Sequence, residues 1–194
     1  MAPGSAARRW RVRSGVALVA VALALIPSQQ AAPDEPAWQV YFSPNHGATK
    51  AVVEALDAAK ATVLVQAYSF TSAPIAKALV EARGRGVDVQ VILDRKETGS
   101  KYSSADFVAH AKIVTLIDGA HAIAHNKVMV IDGKTLITGS FNFTTQAEHE
   151  NAENLVVLKG HPQLAQAYRD NFRSHKSHAR PAQVDAARVA RKAA

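Results

Sequence analysis

From residue 39 to residue 174 the apolar residues recur with two periods. Gln39–Ser43 reads as a short strand that Pro44 ends. Ala48–Lys60 carries Val52, Val53, Leu56 and Ala59 on one helical stripe. Thr62–Ser69 is β-rich and almost continuously apolar, as a strand covered on both faces should be. Ser72 stands where a helix cap is expected, Pro74 falls in the first turn, and Ile75 and Leu79 mark the inner face. Gly84 and Gly86 close that helix before the strand Val87–Asp94. Further strands are predicted at Lys112–Ile117, at Asn126–Ile131 and around Asn154–Leu158. A last helix runs from Pro162 to about Ser174, with Leu164, Tyr168 and Phe172 inward. Strands alternating with helices predict an α/β domain, with a mixed, largely parallel sheet flanked by helices on both faces. No internal repeat interrupts it.

The first segment follows a different pattern. Arg8, Arg9, Arg11 and Arg13 precede an apolar run from Val16 to Ile26, which Pro27 ends. This is the layout of a secretory signal peptide, assigned to residues 1–31, with an uncleaved membrane anchor as the competing reading. Arg8-Arg9 fits a twin-arginine signal poorly. The folded domain is then expected over 32–178 and a basic tail over 179–194, the whole being secreted or periplasmic. The chain contains no cysteine, so neither disulfides nor thiolate metal sites operate.

Charge changes the picture only after it is divided along the chain. The net charge is +7, but residues 32–172 hold 13 basic and 15 acidic groups. The excess sits in the arginines before the apolar run and in residues 173–194. Such a tail raises affinity for any polyanion without selecting one.

The chemistry concentrates between His125 and Leu158. His125, Lys127, Asp132, Gly139, Ser140 and Asn142 spell His-x-Lys, four residues, Asp, six residues, Gly-Ser-x-Asn. An extended backbone sends alternate side chains to one face, so His125 and Lys127 share a face, as do Ser140 and Asn142. Asp132-Gly133 is a strong two-residue hairpin signal. With that turn Ile131 pairs with Lys134, Lys127 with Thr138 and His125 with Ser140, and the four side chains converge. A loop with an odd number of residues would break this parity. A neutral imidazole is a nucleophile and proton carrier near pH 7. An ammonium and an amide beside it suit the anionic oxygens of a phosphate. No group of carboxylates stands nearby to hold Mg²⁺.

This constellation, followed by Asn151-Ala152-Glu153-Asn154, resembles the phospholipase D superfamily, and within it the short, single-motif bacterial endonucleases. The likeness extends upstream through VYFSPNHGA and AYSFTSAPIAKALVEARGRGVDVQVILD and on to about Phe172. It implies a phospholipase D-like fold and a metal-independent phosphodiesterase that works through a phosphohistidine. His125 matches the nucleophile, Lys127 and Asn142 the phosphate ligands, and Ser140 a residue lining the same pocket. Glu153 matches the acid that orients the histidine. Gly139 and Asp132 complete the signature, Asp132 with a structural role suggested by its place in the turn. No cofactor or metal is implied. The expected substrate is DNA or RNA, with membrane lipid, such as cardiolipin, as the alternative and a non-catalytic nucleic-acid-binding module as a further one. Because the chain holds one copy of the motif, the resemblance also implies a homodimer with a shared active site.

Two other features carry chemistry of their own. His121 and His125 have the spacing of a helical zinc pair, but a glycine precedes them and a strand follows, and zinc would consume the lone pair His125 needs. Arg95, Lys96, Lys101 and Tyr102 lie in a polar loop at the carboxyl end of a strand, where open α/β sheets bind ligands.

Overall fold

The computed structural model describes residues 37–98 and 103–182. The expected signal segment, most of the basic tail, Lys101 and Tyr102 lie outside these residues. One eight-stranded sheet forms the body. Its strands are β1 (Ala37–Ser43), β2 (Thr62–Ala67), β3 (Asp88–Asp94), β4 (Val114–Asp118), β5 (Lys127–Ile131), β6 (Thr135–Gly139), β7 (Glu153–Lys159) and β8 (Arg180–Pro181). They lie in the order β1-β7-β6-β5-β2-β3-β4-β8.

The sheet is mixed, as expected, but its parallel part is small. Only β2-β3 and β3-β4 pair in parallel, while the other five neighbours are antiparallel. The strand–helix–strand alternation therefore generates a parallel centre and nothing more. From β5 onward the alternation stops: a tight hairpin joins β5 to β6, which must then run antiparallel, and longer segments carrying α4 and α5 lead to β7 and β8. β1, expected in the parallel set, instead closes the far edge against β7.

Helices cover both faces. The helices α1 (Ala48–Asp57) and α2 (Ala73–Gly84) bury Val52, Leu56, Ile75 and Leu79 against Val63, Val65, Val89, Val91, Met129 and Ile137. Residues Ala105–His110 form α3, which adds Val108 to that layer. A short helix α4 (Thr145–His149) follows the motif, with Thr144 capping it through its hydroxyl. The opposite face is covered by α5 (Pro162–His178), whose Ala165 and Tyr168 pack on Val128, Val130 and Leu136. This helix runs four residues beyond its expected end, and its stripe is shifted. Leu164 is exposed while Ala165 is buried, because a small side chain lets the helix approach the sheet closely. Ser72 occupies the N-cap position of α2 without a side-chain capping bond.

After α5 the chain does not leave the body at once. Arg180 and Pro181 pair with Ile117 and Leu116, and the Ala182 N–H donates to the Thr115 carbonyl. The segment expected to open the tail thus begins as the strand that covers β4.

Candidate active site

The site lies where the carboxyl ends of β2 and β3 meet the amino end of β5. Ala67 pairs with Lys127, and the next backbone bond runs from the Tyr68 N–H to the Asn126 carbonyl at 2.9 Å. This places Tyr68 beside His125, with ring centroids 4.3 Å apart. From β3 the Asp94 carboxylate, itself buried, accepts from the Lys96 N–H at 2.9 Å and the Ala124 N–H at 2.7 Å. One carboxylate thereby fixes both the turn carrying Lys96 and the residue before His125.

His125 is exposed, whereas Lys127 is buried. The Lys127 ammonium donates to the His125 carbonyl at 3.0 Å and lies 5.0 Å from the centre of the Tyr68 ring. Lys96 covers the same ring at 3.2 Å. Two cations therefore flank one aromatic ring next to the imidazole, a favourable arrangement that also builds positive potential. Burial, then Lys127 and Lys96, lower the His125 pKa from its ordinary value, against an opposite pull from Asp94. These influences favour the neutral imidazole, the form that can attack. Lys127 is also lowered, by burial first and by Lys96, while Glu153 opposes the shift.

Glu153 opens β7, opposite Ser43, and its charge reaches Lys127. Its carboxylate accepts from the Asn151 side chain at 3.1 Å. No hydrogen bond between Glu153 and His125 is present among the described residues. In the single chain Glu153 supports the lysine electrostatically, and the Tyr68 ring flanks the imidazole.

The hairpin departs from the expected register. Ile131 pairs with Thr135 and Val128 with Thr138, so the loop holds three residues rather than two. Asp132 and Gly133 do adopt positive φ, 51° and 66°. Lys134 is the additional residue, its carbonyl drawn out of the ladder by the His161 N–H at 3.1 Å. The parity argument that paired His125 with Ser140 and Lys127 with Thr138 therefore fails by one position. Ser140 and Asn142 alternate with Phe141 and Phe143, which are fully buried, while Ser140 is exposed and Asn142 half-buried.

Gly139 marks the point where β6 departs from the ladder. Its φ is 149°, and a Cβ there would overlap the Asn154 carbonyl oxygen. Only glycine allows this approach. Immediately after it, the Ser140 hydroxyl accepts from the Asn154 N–H at 3.0 Å and from its amide nitrogen at 3.3 Å, tying the motif to β7. The Asn142 side-chain oxygen is buried without a partner. Asp132 stands at the opposite end of β5, roughly 15 Å of strand from Lys127. Its carboxylate accepts the backbone N–H groups of Lys60, Ala61 and Thr62 at 2.9, 2.7 and 2.9 Å. It holds the entry to β2 and takes no part in the site.

Tyr68 and Asp94 are the site residues that the sequence alone did not single out. Both end strands whose burial is legible, and the carboxyl ends of parallel strands are the place to look.

A domain model described as "Cardiolipin synthase, PLD-like domain" matches residues 52–176. The chain belongs to the phospholipase D superfamily of phosphodiesterases. It is 41% identical over 136 residues to a phospholipase D of Rickettsia bellii, covering 70% of this chain and 67% of that protein. It is 32% identical over 117 residues to a mitochondrial cardiolipin hydrolase of Chlamydomonas reinhardtii, covering 60% of this chain and 52% of the relative. Among solved structures it resembles the phospholipase D family member Nuc from Salmonella typhimurium, with a TM-score of 0.74 and 38% identity. That match covers 76% of this chain and 98% of Nuc. The likeness thus runs nearly end to end in Nuc, as expected for a short member of the superfamily.

Proposed function

We propose that this phosphodiesterase is an endonuclease that hydrolyses DNA or RNA through a phosphohistidine, without a metal in the chemical step. The observation that carries the reading is an exposed His125, its pKa lowered, beside the Lys127 and Lys96 ammonium groups that flank the Tyr68 ring. An open, electropositive surface of this kind admits a polymer backbone whose phosphates arrive from solvent. The same two cations oppose a divalent metal at the reacting position, and the oxygens of Asp94 are already engaged by backbone N–H groups.

In the first step the imidazole nitrogen forms a bond to phosphorus while the bond from phosphorus to the leaving oxygen breaks. Lys127 and the Asn142 amide stabilise the charge that gathers on the phosphoryl oxygens. The leaving oxygen needs a proton, and the chain holds a single motif to supply it. Two chains meeting about a two-fold axis would bring a second His125 as that acid. Water then attacks phosphorus, the nitrogen–phosphorus bond breaks, and the acid recovers its proton from that water. Export through residues 1–31 belongs to the same proposal. Among the described residues no helix is long and apolar enough to cross a membrane.

Lipid hydrolysis is the second reading. It draws on the names of the Rickettsia and Chlamydomonas relatives and on an apolar cavity of about 740 Å³ lined by Thr71, Ala73, Pro74, Ala76 and Phe107. One assay separates the two. Purified protein is given plasmid DNA, RNA and cardiolipin vesicles in turn, each with excess EDTA. Nucleic acid should be cut under chelation, and a reaction quenched in alkaline denaturant, where the nitrogen–phosphorus bond survives, should retain a phosphoryl-linked fragment of the substrate on His125. Turnover of cardiolipin alone would transfer the conclusion to lipid. Loss of all turnover under EDTA with recovery on Mg²⁺ would refute the histidine route.

A further inference from the structure

Away from His125 the fold gathers a second set of reactive side chains. Asp118 ends β4, His121 follows in the loop, and His175 and His178 lie one turn apart at the end of α5. One ligand atom from each residue lies within 4.8 Å of all the others. The three imidazoles converge on a single oxygen of Asp118. His175 Nδ1 stands at 2.6 Å, His121 Nδ1 at 3.2 Å and His178 Nε2 at 3.3 Å. The Asp118 carboxylate is fully buried, His175 nearly so, and His121 and His178 reach solvent.

We infer that Asp118, His121, His175 and His178 form a zinc site that clamps the end of α5 to the loop delivering His125. Three imidazole nitrogens and one carboxylate oxygen are a donor set that suits zinc among the divalent ions. Four ligands about 2.0–2.1 Å from zinc stand roughly 3.4 Å from one another in a tetrahedron. The His121 and His178 contacts with Asp118 are already close to that spacing. His175 needs to open by roughly 0.8 Å, and the widest separation must close by roughly 1.4 Å, within the reach of ring rotation at the two exposed histidines. The rim is open to the ion while its anionic floor is buried. The ion would also lie against the carboxyl end of α5, where a positive charge is favoured. On binding, each liganding nitrogen gives up any proton it carries, and zinc exchanges water for three nitrogens and one oxygen.

The connectivity gives the site a purpose. Asp118 and His121 begin the segment that ends at His125, and Asp94 already anchors that segment at Ala124. On the other side, His175 and His178 lead directly into β8. An ion at this position would fix the approach of the nucleophile from outside the reacting centre. The hydrogen-bonded cluster alone, holding α5 in place without metal, is the reading it competes with.

The test uses the full chain without an affinity tag, stripped with chelator and dialysed free of it. Zn²⁺ titrated by calorimetry should bind at one equivalent per chain. Zn²⁺ should raise the melting temperature, and hydrogen exchange should slow in residues 119–126 and 175–182. Co²⁺ in its place should give the visible absorption of a tetrahedral ion. His178→Ala and His121→Ala each remove a solvent-reaching ligand, so the fold should hold by circular dichroism while zinc affinity falls at least about tenfold. His125→Ala should leave stoichiometry and affinity unchanged, which separates this site from the catalytic histidine. The inference is overturned if the stripped chain takes up no Zn²⁺. It is equally overturned if the His121 and His178 variants bind as the wild type does, or if neither segment gains protection.

Discussion

The sharpest check on the division between chemistry and scaffolding is Asp132→Ala. Asp132 belongs to the signature, yet it accepts three backbone N–H groups at the start of β2 and contacts nothing in the site. Removing the carboxylate strands those donors unequally. The Lys60 and Ala61 bonds are exposed, so water replaces them and each loss is worth about 0.5 kcal/mol. The Thr62 bond is partly buried, and leaving its donor unpaired costs about 1–2 kcal/mol. The total is about 2–3 kcal/mol, which for a domain of this size lowers the melting temperature by roughly 5–10 °C. Urea unfolding at pH 7 measures it, with circular dichroism as the signal and a check that the slope is unchanged. The pH dependence has a definite sign. Burial works to raise the Asp132 pKa, but the Thr62, Ala61 and Lys60 N–H groups and Lys134 hold it below the ordinary value. Its contribution is therefore present above the unfolded carboxylate range and is lost as the pH falls through the lower folded value. The gap between wild type and Asp132→Ala should narrow in acid. Folded Asp132→Ala protein should retain its turnover. A stability change under about 0.5 kcal/mol, or loss of turnover with the fold intact, would show that the residue acts in the site.

Other expectations concern the catalytic end of the sheet. His125→Ala should abolish turnover with an unchanged circular dichroism spectrum, and Lys127→Ala should lower kcat by about 10²–10³; an active His125→Ala protein would sink the assignment. Since burial, Lys127 and Lys96 depress the His125 pKa, the acid limb of kcat/KM should fall below the ordinary histidine range. Lys96→Ala should move that limb upward, because removing a nearby cation favours the imidazolium; a limb that stays in place refutes the electrostatic account. Gly139→Ala should destabilise by about 2–4 kcal/mol by driving Asn154 from its place, measured by urea unfolding, and a near-neutral result would contradict the close approach. Refolding wild type with a large excess of His125→Ala chains should poison activity if two chains share a site. Activity that tracks the wild-type chains, with mixed dimers shown to form, would mean that each chain is complete.

Much of this protein was legible from its sequence, and the legible parts share a property. Apolar periodicity depends on a residue and its near neighbours, so β2, α2 and β3 could be placed within a residue or two. The motif was legible because its residue types are chemically distinct and closely spaced. Short helices such as α3 and α4 carry too few turns to establish a stripe. Sheet order could not be read either. β1 begins the chain's strand–helix alternation, yet it pairs with β7, more than a hundred residues later.

The candidate site divides in the same way. The motif singles out His125, Lys127, Ser140 and Asn142 together, but the pairing that would make them converge is off by one residue. A hairpin register depends on where Lys134 sends its carbonyl, and that is decided by His161 arriving from beyond β7. Tyr68, Asp94 and Lys96 joined the site only when β2 and β3 were laid against β5. The His175 and His178 pair showed no usable pattern in the chain, although a spacing of three on a helix was the available signal. Their partners Asp118 and His121 lie more than fifty positions away. A sequence records what each side chain can do and how its immediate neighbours repeat. Which distant side chains meet is a property of strand order and helix docking, set by the burial of the whole apolar surface rather than by any segment of it.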